Sequence, residues 1–384
     1  MTDHAAPPAA QATAQTTAHP AEPASAQDAG APLRVLYAGT PETAVPVLEA
    51  LVASRHRVVG VLTRPDAPLG RKRVLTPSPV AAAAEAHGIP TVKADRLRGE
   101  AGAEAAEAIR ALGADVAVVV AYGALVPAEL LDVPKHGWLN LHFSTLPAWR
   151  GAAPVQRAMM AGETRIGADV FQLEEGLDTG PVFASMHRDV EPGQTSGDLL
   201  AALAVDGGPL VVEVLDGLSA GTAVATPQQG EPTHAEKLSH ADGLVDPAGD
   251  ADAVGALVNG VTPEPGAWGW MIADPADAPT RFKLDAVLPH AEQTLPAEVA
   301  EASAGDLLVA ARKAWLRTGP GALELTRVQP AGKKLMAAAD WARGANGSPR
   351  LLAGPELAAH TAGLQAAHAA RLAARTTAEG NTRA

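Results

Sequence analysis

The order of apolar and polar positions divides the chain into a rhythmic first part and an irregular second part. Mostly apolar runs at 34–38, 58–63, 115–122 and 138–143 alternate with amphipathic stretches at 43–54, 77–87, 100–112 and, more briefly, 127–131. Apolar strands separated by helix-period stretches predict parallel βαβ units whose sheet is covered on both faces. The first run ends in Gly39-Thr40-Pro41, a turn into a helix. Proline suits that first turn because its missing N–H would be unpaired there. From Gly167 the rhythm changes. Strands are expected at 168–173 and 181–190, around the turn-rich loop Glu174-Glu175-Gly176-Leu177-Asp178-Thr179-Gly180, and a long helix at 196–218 closes the first domain. A Pro-, Gln- and Gly-rich stretch at 221–238 reads as a linker. Beyond it come a helix at 252–258 and short strands at 269–272, 280–287, 306–310, 314–317 and 323–329. Such spacing predicts a small β-barrel or sandwich.

Within 138–143 the pattern sets Asn140 and His142 two apart, so both side chains leave one face of the strand. Ser144-Thr145-Leu146-Pro147 then breaks it. In open parallel sheets ligands bind beyond the carboxyl ends of the strands, where this pair lies. On the pair alone, structural and catalytic use both remain open. Gly39 is followed by neither a Gly-x-Gly-x-x-Gly pattern nor a Walker lysine, so it reads as a tight turn rather than a phosphate loop.

Composition narrows the class. With 384 residues, 47% of them apolar, there is material for two cores, and 3% aromatic content leaves those cores to Val, Leu and Ala. The absence of cysteine excludes disulfides, iron–sulfur clusters and thiol nucleophiles, and it fits a reducing cytoplasm. A net charge of −13 argues against indiscriminate binding to nucleic acid but leaves room for a local basic patch. No run approaches the ~20 apolar residues of a membrane span, so no membrane partner is expected. Residues 1–32 are rich in Ala, Pro, Gln and Thr, with neither the basic start nor the apolar stretch of a secretory signal, and are expected to be a disordered extension. The Ala-rich tail at 354–384 is expected to be flexible or partly helical. No His/Asp/Glu group has metal-ligand spacing, so no metal is expected.

Several stretches occur in a shared order that resembles the methionyl-tRNA formyltransferase family, from about 33 to 353. They are Ala38-Gly39-Thr40-Pro41-Glu42, the loop at 63–80, Val120-Ala121-Tyr122-Gly123, Asn140-Leu141-His142, the run from Trp149 to Arg157, and Gly176-Leu177-Asp178-Thr179-Gly180. Ala235-Glu236-Lys237-Leu238 and Gln329-Pro330-Ala331-Gly332-Lys333-Lys334 follow. The resemblance implies an α/β chain with a Rossmann-like formyltransferase domain at 33–220, a linker at 221–238 and an OB-like, tRNA-binding β-barrel at 239–353. It implies formyl transfer from 10-formyltetrahydrofolate, as a co-substrate, to the α-amino group of methionyl initiator tRNA, by a cytoplasmic monomer.

The family's catalytic set falls on Asn140, His142 and Asp178, and its folate-contact turn on Ser144, Thr145, Leu146 and Pro147. Its tRNA contacts fall on Arg71, Lys72 and Arg73, with Lys333 and Lys334 offered by the barrel. Thr145 replaces the usual Leu, Ala148 stands where some relatives have Arg, and Thr43 where some place Phe. These departures bear on folate affinity and methionine selectivity. The competing readings are another 10-formyltetrahydrofolate-dependent formyltransferase or hydrolase, and a folate- or RNA-binding protein without catalysis. The basic loop at 71–73 and the barrel favour tRNA.

Overall fold

The computed structural model describes residues 30–381 except Arg71, Pro275 and Asn346. Arg71, expected to contact tRNA, and residues 1–29 of the expected extension therefore lie outside the described residues. The first domain opens with β1 (Arg34–Gly39), α1 (Val45–Ala53), β2 (Arg57–Thr63) and a hairpin of β3 (Ala67–Leu69) and β4 (Val74–Thr76). It continues through α2 (Pro79–Ala86), β5 (Thr91–Lys93), α3 (Gly99–Ala111), β6 (Val116–Val120), α4 (Ala128–Leu131) and β7 (Trp138–His142). A two-residue β8 (Arg150–Gly151), α5 (Pro154–Met160), β9 (Arg165–Gln172), β10 (Val182–Asp189) and α6 (Ser196–Ala220) complete it.

Seven of these strands form one sheet in the order β10-β9-β7-β6-β1-β2-β5. From β5 to β7 the pairs are parallel, and β9 runs antiparallel to both of its neighbours. Every residue of β6, Val-Ala-Val-Val-Val, is buried, as a strand covered on both faces demands. The helices are delimited by local chemistry. Ser78 caps α2 by accepting the Ala81 N–H at 3.0 Å, and Thr195 and Asp198 form a reciprocal capping box on α6. Helix α6 lies close against β7. A Cβ on its Gly207 would come within 2.5 Å of the Leu141 side chain. Leu139 and Leu141 belong to the core beneath α6, whereas Trp138 joins the opposite core with Ile109 and Leu130. Alternation thus places Asn140 and His142 on the Trp138 side, at the carboxyl end of the strand.

The second domain begins after β11 (His234–Ala235) and contains α7 (Ala251–Gly260), β12 (Ala267–Ile272), β13 (Thr280–Leu284), β14 (Val287–His290) and α8 (Ala297–Ala300). Then come β15 (Leu307–Ala310), β16 (Lys313–Arg317), β17 (Ala322–Leu325), β18 (Arg327–Pro330), β19 (Met336–Ala337), α9 (Ala338–Gly344), β20 (Arg350–Leu351) and α10 (Gly354–Asn381). Two antiparallel sheets, β19-β18-β13-β12-β20 and β14-β17-β16-β15, enclose one core that includes Phe282, Leu284, Leu316, Leu323 and Leu325.

Two strands expected as single runs, at 280–287 and 323–329, are each two strands belonging to different sheets. The chain turns a corner at Asp285-Ala286 and again at Thr326. The two corners brace each other, with Asp285 N–H donating to the Arg327 carbonyl at 3.1 Å and the Thr326 hydroxyl to the Ala286 carbonyl at 2.5 Å. Strands that switch sheets at such corners curl a sandwich into a barrel. The domains are joined by an Arg157–Asp242 ion pair at 3.0 Å and by the Ser196 hydroxyl donating to the Thr262 carbonyl at 2.8 Å.

Candidate active site

A cavity of about 980 Å³ opens at the carboxyl ends of β6 and β7 and is lined by Asn140, His142 and Asp178 together. The set expected from separate strand and loop segments is thus brought to one place. His142 is buried, at 5% exposure. Its Nε2 lies 3.0 Å from the Trp149 carbonyl oxygen, and because a carbonyl only accepts, that nitrogen carries a proton. The other ring nitrogen, Nδ1, faces Asp178 Oδ2 at 3.9 Å, which is ion-pair range but too long for a direct hydrogen bond. The Asn140 side chain makes no hydrogen bond to protein among the described residues, which leaves its carboxamide to the cavity.

Asp178 stands on the loop between β9 and β10 and is tied down from outside that loop. Its Oδ2 accepts the Gly151 N–H at 2.8 Å, and its carbonyl accepts from Gln228 at 2.7 Å. Gly151 belongs to β8, which pairs in parallel with β11. The stretch expected to be a linker therefore lies along the first domain. Thr226 and Val182 exchange backbone hydrogen bonds at 2.8 Å in each direction, and residues 234–237 form one wall of the cavity. Asp178 has φ of 51° and Trp149 60°, both in the left-handed region that L-residues rarely adopt. Such a conformation costs about 1–3 kcal/mol and persists only where the surroundings hold it, commonly at functional sites.

The opposite wall is the 121–126 segment. Thr40 of the Gly39-Thr40-Pro41 turn donates its hydroxyl to the Tyr122 carbonyl at 2.8 Å, and Arg64 donates to the Gly123 carbonyl at 2.9 Å. Burial pushes the Tyr122 phenol up to about 12, so it stays protonated and donates to the Ala94 carbonyl at 2.7 Å. Tyr122 is a brace rather than a base.

None of Ser144, Thr145, Leu146 and Pro147 lines the cavity; the chain leaves it at Phe143. Ser144 donates to the Ala148 carbonyl at 2.6 Å, and the Leu146 N–H donates to Asp169 Oδ2 at 2.7 Å. Thr145 is exposed, with its hydroxyl 3.1 Å from His187 Nε2, so the unusual residue gains a polar partner on β10. Asp169 sits opposite His142 in the β7–β9 register and is 1% exposed. Burial pushes its carboxyl up, and Ser185 and the hydrogen bond from the Leu146 N–H partly offset this.

Lys72 and Arg73 are exposed at the tip of the β3–β4 hairpin, beside the exposed Leu69, Val74 and Leu75. Lys333 and Lys334 are exposed on the turn between β18 and β19. The 121–126 wall, residues 234–237 and Gln228 had no role assigned from sequence. The stretches 120–123 and 235–238 were visible there only as matching segments.

Comparison with known proteins agrees with this architecture. Residues 33–215 match the family described as formyl transferase, and residues 237–346 match its C-terminal domain. An N-formyltransferase from Helicobacter canadensis, solved with folinic acid and dTDP-3-aminofucose, shares the fold at a TM-score of 0.56 and 14% identity, covering 78% of this chain and 99% of that one. The class is therefore a two-domain formyl transferase. Two relatives are much nearer. The methionyl-tRNA formyltransferase of Clavibacter michiganensis subsp. michiganensis (strain NCPPB 382) is 52% identical over 81% of this chain and 97% of its own length. That of Arthrobacter sp. (strain FB24) is 51% identical over the same shares. The chain belongs to the methionyl-tRNA formyltransferase family.

Proposed function

We propose that the chain transfers the formyl group of 10-formyltetrahydrofolate to the α-amino group of methionyl initiator tRNA, with Asn140, His142 and Asp178 as its catalytic groups. The observation that carries this reading is their convergence on one cavity, with His142 Nδ1 3.9 Å from Asp178 Oδ2. The cavity is also of the size that accommodates a cofactor-sized ligand. The donor supplies an electrophilic formyl carbon, and the acceptor amine supplies the nucleophile, so no protein nucleophile is needed. A free α-amino group has a pKa of roughly 7.7–8.0, and esterification of the adjacent carboxyl lowers it, so a neutral fraction exists near neutral pH.

The chain's task is to stabilise negative charge on the formyl oxygen during attack. The Asn140 carboxamide is one donor. His142 is the second, through Nδ1, because Nε2 is committed to the Trp149 carbonyl. Asp178 provides the compensating charge when Nδ1 is protonated, and it accepts the amine's proton directly or through water. As the tetrahedral intermediate collapses, the formyl carbon–N10 bond breaks and a proton passes to N10, releasing tetrahydrofolate. Each such donor contributes about 2.7–4 kcal/mol to lowering the barrier. Lys72, Arg73, Lys333 and Lys334 offer cationic contacts to tRNA phosphates, which orient without reading sequence. The same reading takes the chain as a cytoplasmic monomer.

The test is formylation by the purified chain of methionyl initiator tRNA, with methionyl elongator tRNA as control. Preferential, donor-dependent formylation of the initiator is expected. Equal activity on both would remove the preference for the initiator, and transfer only to a sugar or nucleotide amine would replace tRNA as the acceptor.

A further inference from the structure

We propose that Gln228 is a positioning residue for formyl transfer, holding the Asp178 loop against the 150–151 segment so that the carboxylate faces His142. The inference rests on the reading of Asp178 as a catalytic group. Gln228 lies between the two segments that match the family, 33–215 and 237–346, in a stretch whose composition suggested only a linker.

The side-chain amide of Gln228 is used three times. Its Nε2 donates to the Asp178 carbonyl at 2.7 Å and to the Gly180 carbonyl at 2.8 Å. Its Oε1 accepts from Arg150 Nη2 at 2.6 Å. Two carbonyls on one side and a guanidinium on the other allow only one orientation of the amide. The residue therefore bridges the Asp178 loop and the segment whose Gly151 N–H binds the Asp178 carboxylate at 2.8 Å.

This bridge matters because little else fixes Asp178. At 3.9 Å, His142 Nδ1 is too far away to hold the carboxylate by a hydrogen bond. The Asp178 backbone, with φ of 51°, is in a conformation a non-glycine residue leaves when released. Loss of the bridge would let the loop relax while leaving β7, with Asn140 and His142, in the sheet. The cavity's walls would remain, so substrate binding should suffer less than turnover.

The experiment measures formyl transfer from 10-formyltetrahydrofolate to methionyl initiator tRNA by the full-length chain carrying Gln228→Ala, Gln228→Glu, Asp178→Asn or the Gln228→Ala/Asp178→Asn pair. Gln228→Glu matches the size of the amide and keeps an acceptor for Arg150, but removes the NH2 that serves both carbonyls. It carries the test if Gln228→Ala fails to fold. Both single variants at Gln228 are expected to lower kcat about 10- to 100-fold, the scale of a misplacement near 1 Å. The KM values should stay within about twofold, as for a group acting on the transition state. In the Asp178→Asn background, Gln228→Ala should add no further loss, because the two act as one unit.

Full turnover in Gln228→Glu, a change confined to KM, or losses that multiply in the double variant would each overturn the proposal. Undiminished activity in Asp178→Asn would instead remove Asp178 from the catalytic set, a separate failure of the reading beneath it.

Discussion

The two halves of the site are held in place by different means. Asn140 and His142 stand on β7, which is paired on both sides, to β6 and to β9, and backed by α6. Asp178 stands on a loop in a left-handed conformation and depends on an N–H from Gly151 and an amide from Gln228. The strand half is rigid because breaking it would break the central sheet. The loop half is as good as a few hydrogen bonds contributed by segments distant in sequence. The proposed oxyanion donors thus sit on the stiffest element, and the group proposed to balance their charge sits where small changes in the surroundings can move it.

Removing a donor from the strand half should have the largest effect. His142→Ala is expected to lower kcat by about 10²–10³-fold, the usual cost of deleting one oxyanion donor. The fold should survive, because the imidazole makes one hydrogen bond, to the Trp149 carbonyl. Steady-state kinetics beside a thermal melt check both points. A variant with near-normal kcat would reduce the strand half to scaffolding.

A change that disturbs only the loop half should cost less activity and more stability. Gly151 has φ of 127°, and a Cβ there would lie 2.6 Å from the Ala235 carbonyl oxygen. Gly151→Ala must therefore separate β8 from β11 and pull the Gly151 N–H away from Asp178. We expect a roughly 10-fold lower kcat, together with a stability loss of about 1–3 kcal/mol for the strained residue. Kinetics and urea unfolding of the same preparation read both quantities. If this variant lost more turnover than His142→Ala, the ranking of the two halves would be reversed.

The same contrast explains what could be read from the sequence. Local patterns delivered the strand half. Apolar runs placed β1, β2, β6 and β7, and a period of two put Asn140 and His142 on one face. Asp178 was identified through Gly-Leu-Asp-Thr-Gly, not through any pattern that gave its location. Contacts spanning large sequence separations stayed hidden. Gln228 reaches Asp178 across 50 positions, and Ala235 meets Gly151 through a two-residue strand too short to leave a period. The barrel corners at Asp285-Ala286 and Thr326 were hidden for a related reason. No Gly or Pro marks either one, so 280–287 and 323–329 read as unbroken strands. Corners marked by neither Gly nor Pro are visible only once the partner sheet is known.

The smallest expected effect concerns Asp169, which lies behind the strand half, opposite His142. Burial raises its carboxyl above the ordinary value of 3.8, against the lowering effect of Ser185, the hydrogen bond from the Leu146 N–H and the nearby His142 and His187. One carboxylate oxygen, Oδ1, has no hydrogen-bond partner among the described residues. A carboxyl whose pKa is raised on folding contributes stability that is fully present below its unfolded value and is lost as pH rises through its folded value. Asp169→Asn keeps an oxygen for the Leu146 N–H and cannot ionise. Its stability relative to the parent should therefore increase as pH rises above 3.8, and below that value the difference should level off. Urea midpoints of the two proteins, compared between about pH 4 and about pH 8, measure this directly. A constant difference across that range would mean that the ionised carboxylate is not penalised by its burial. The turn at Ser144–Pro147 would then be held at no electrostatic cost to the strand beside it.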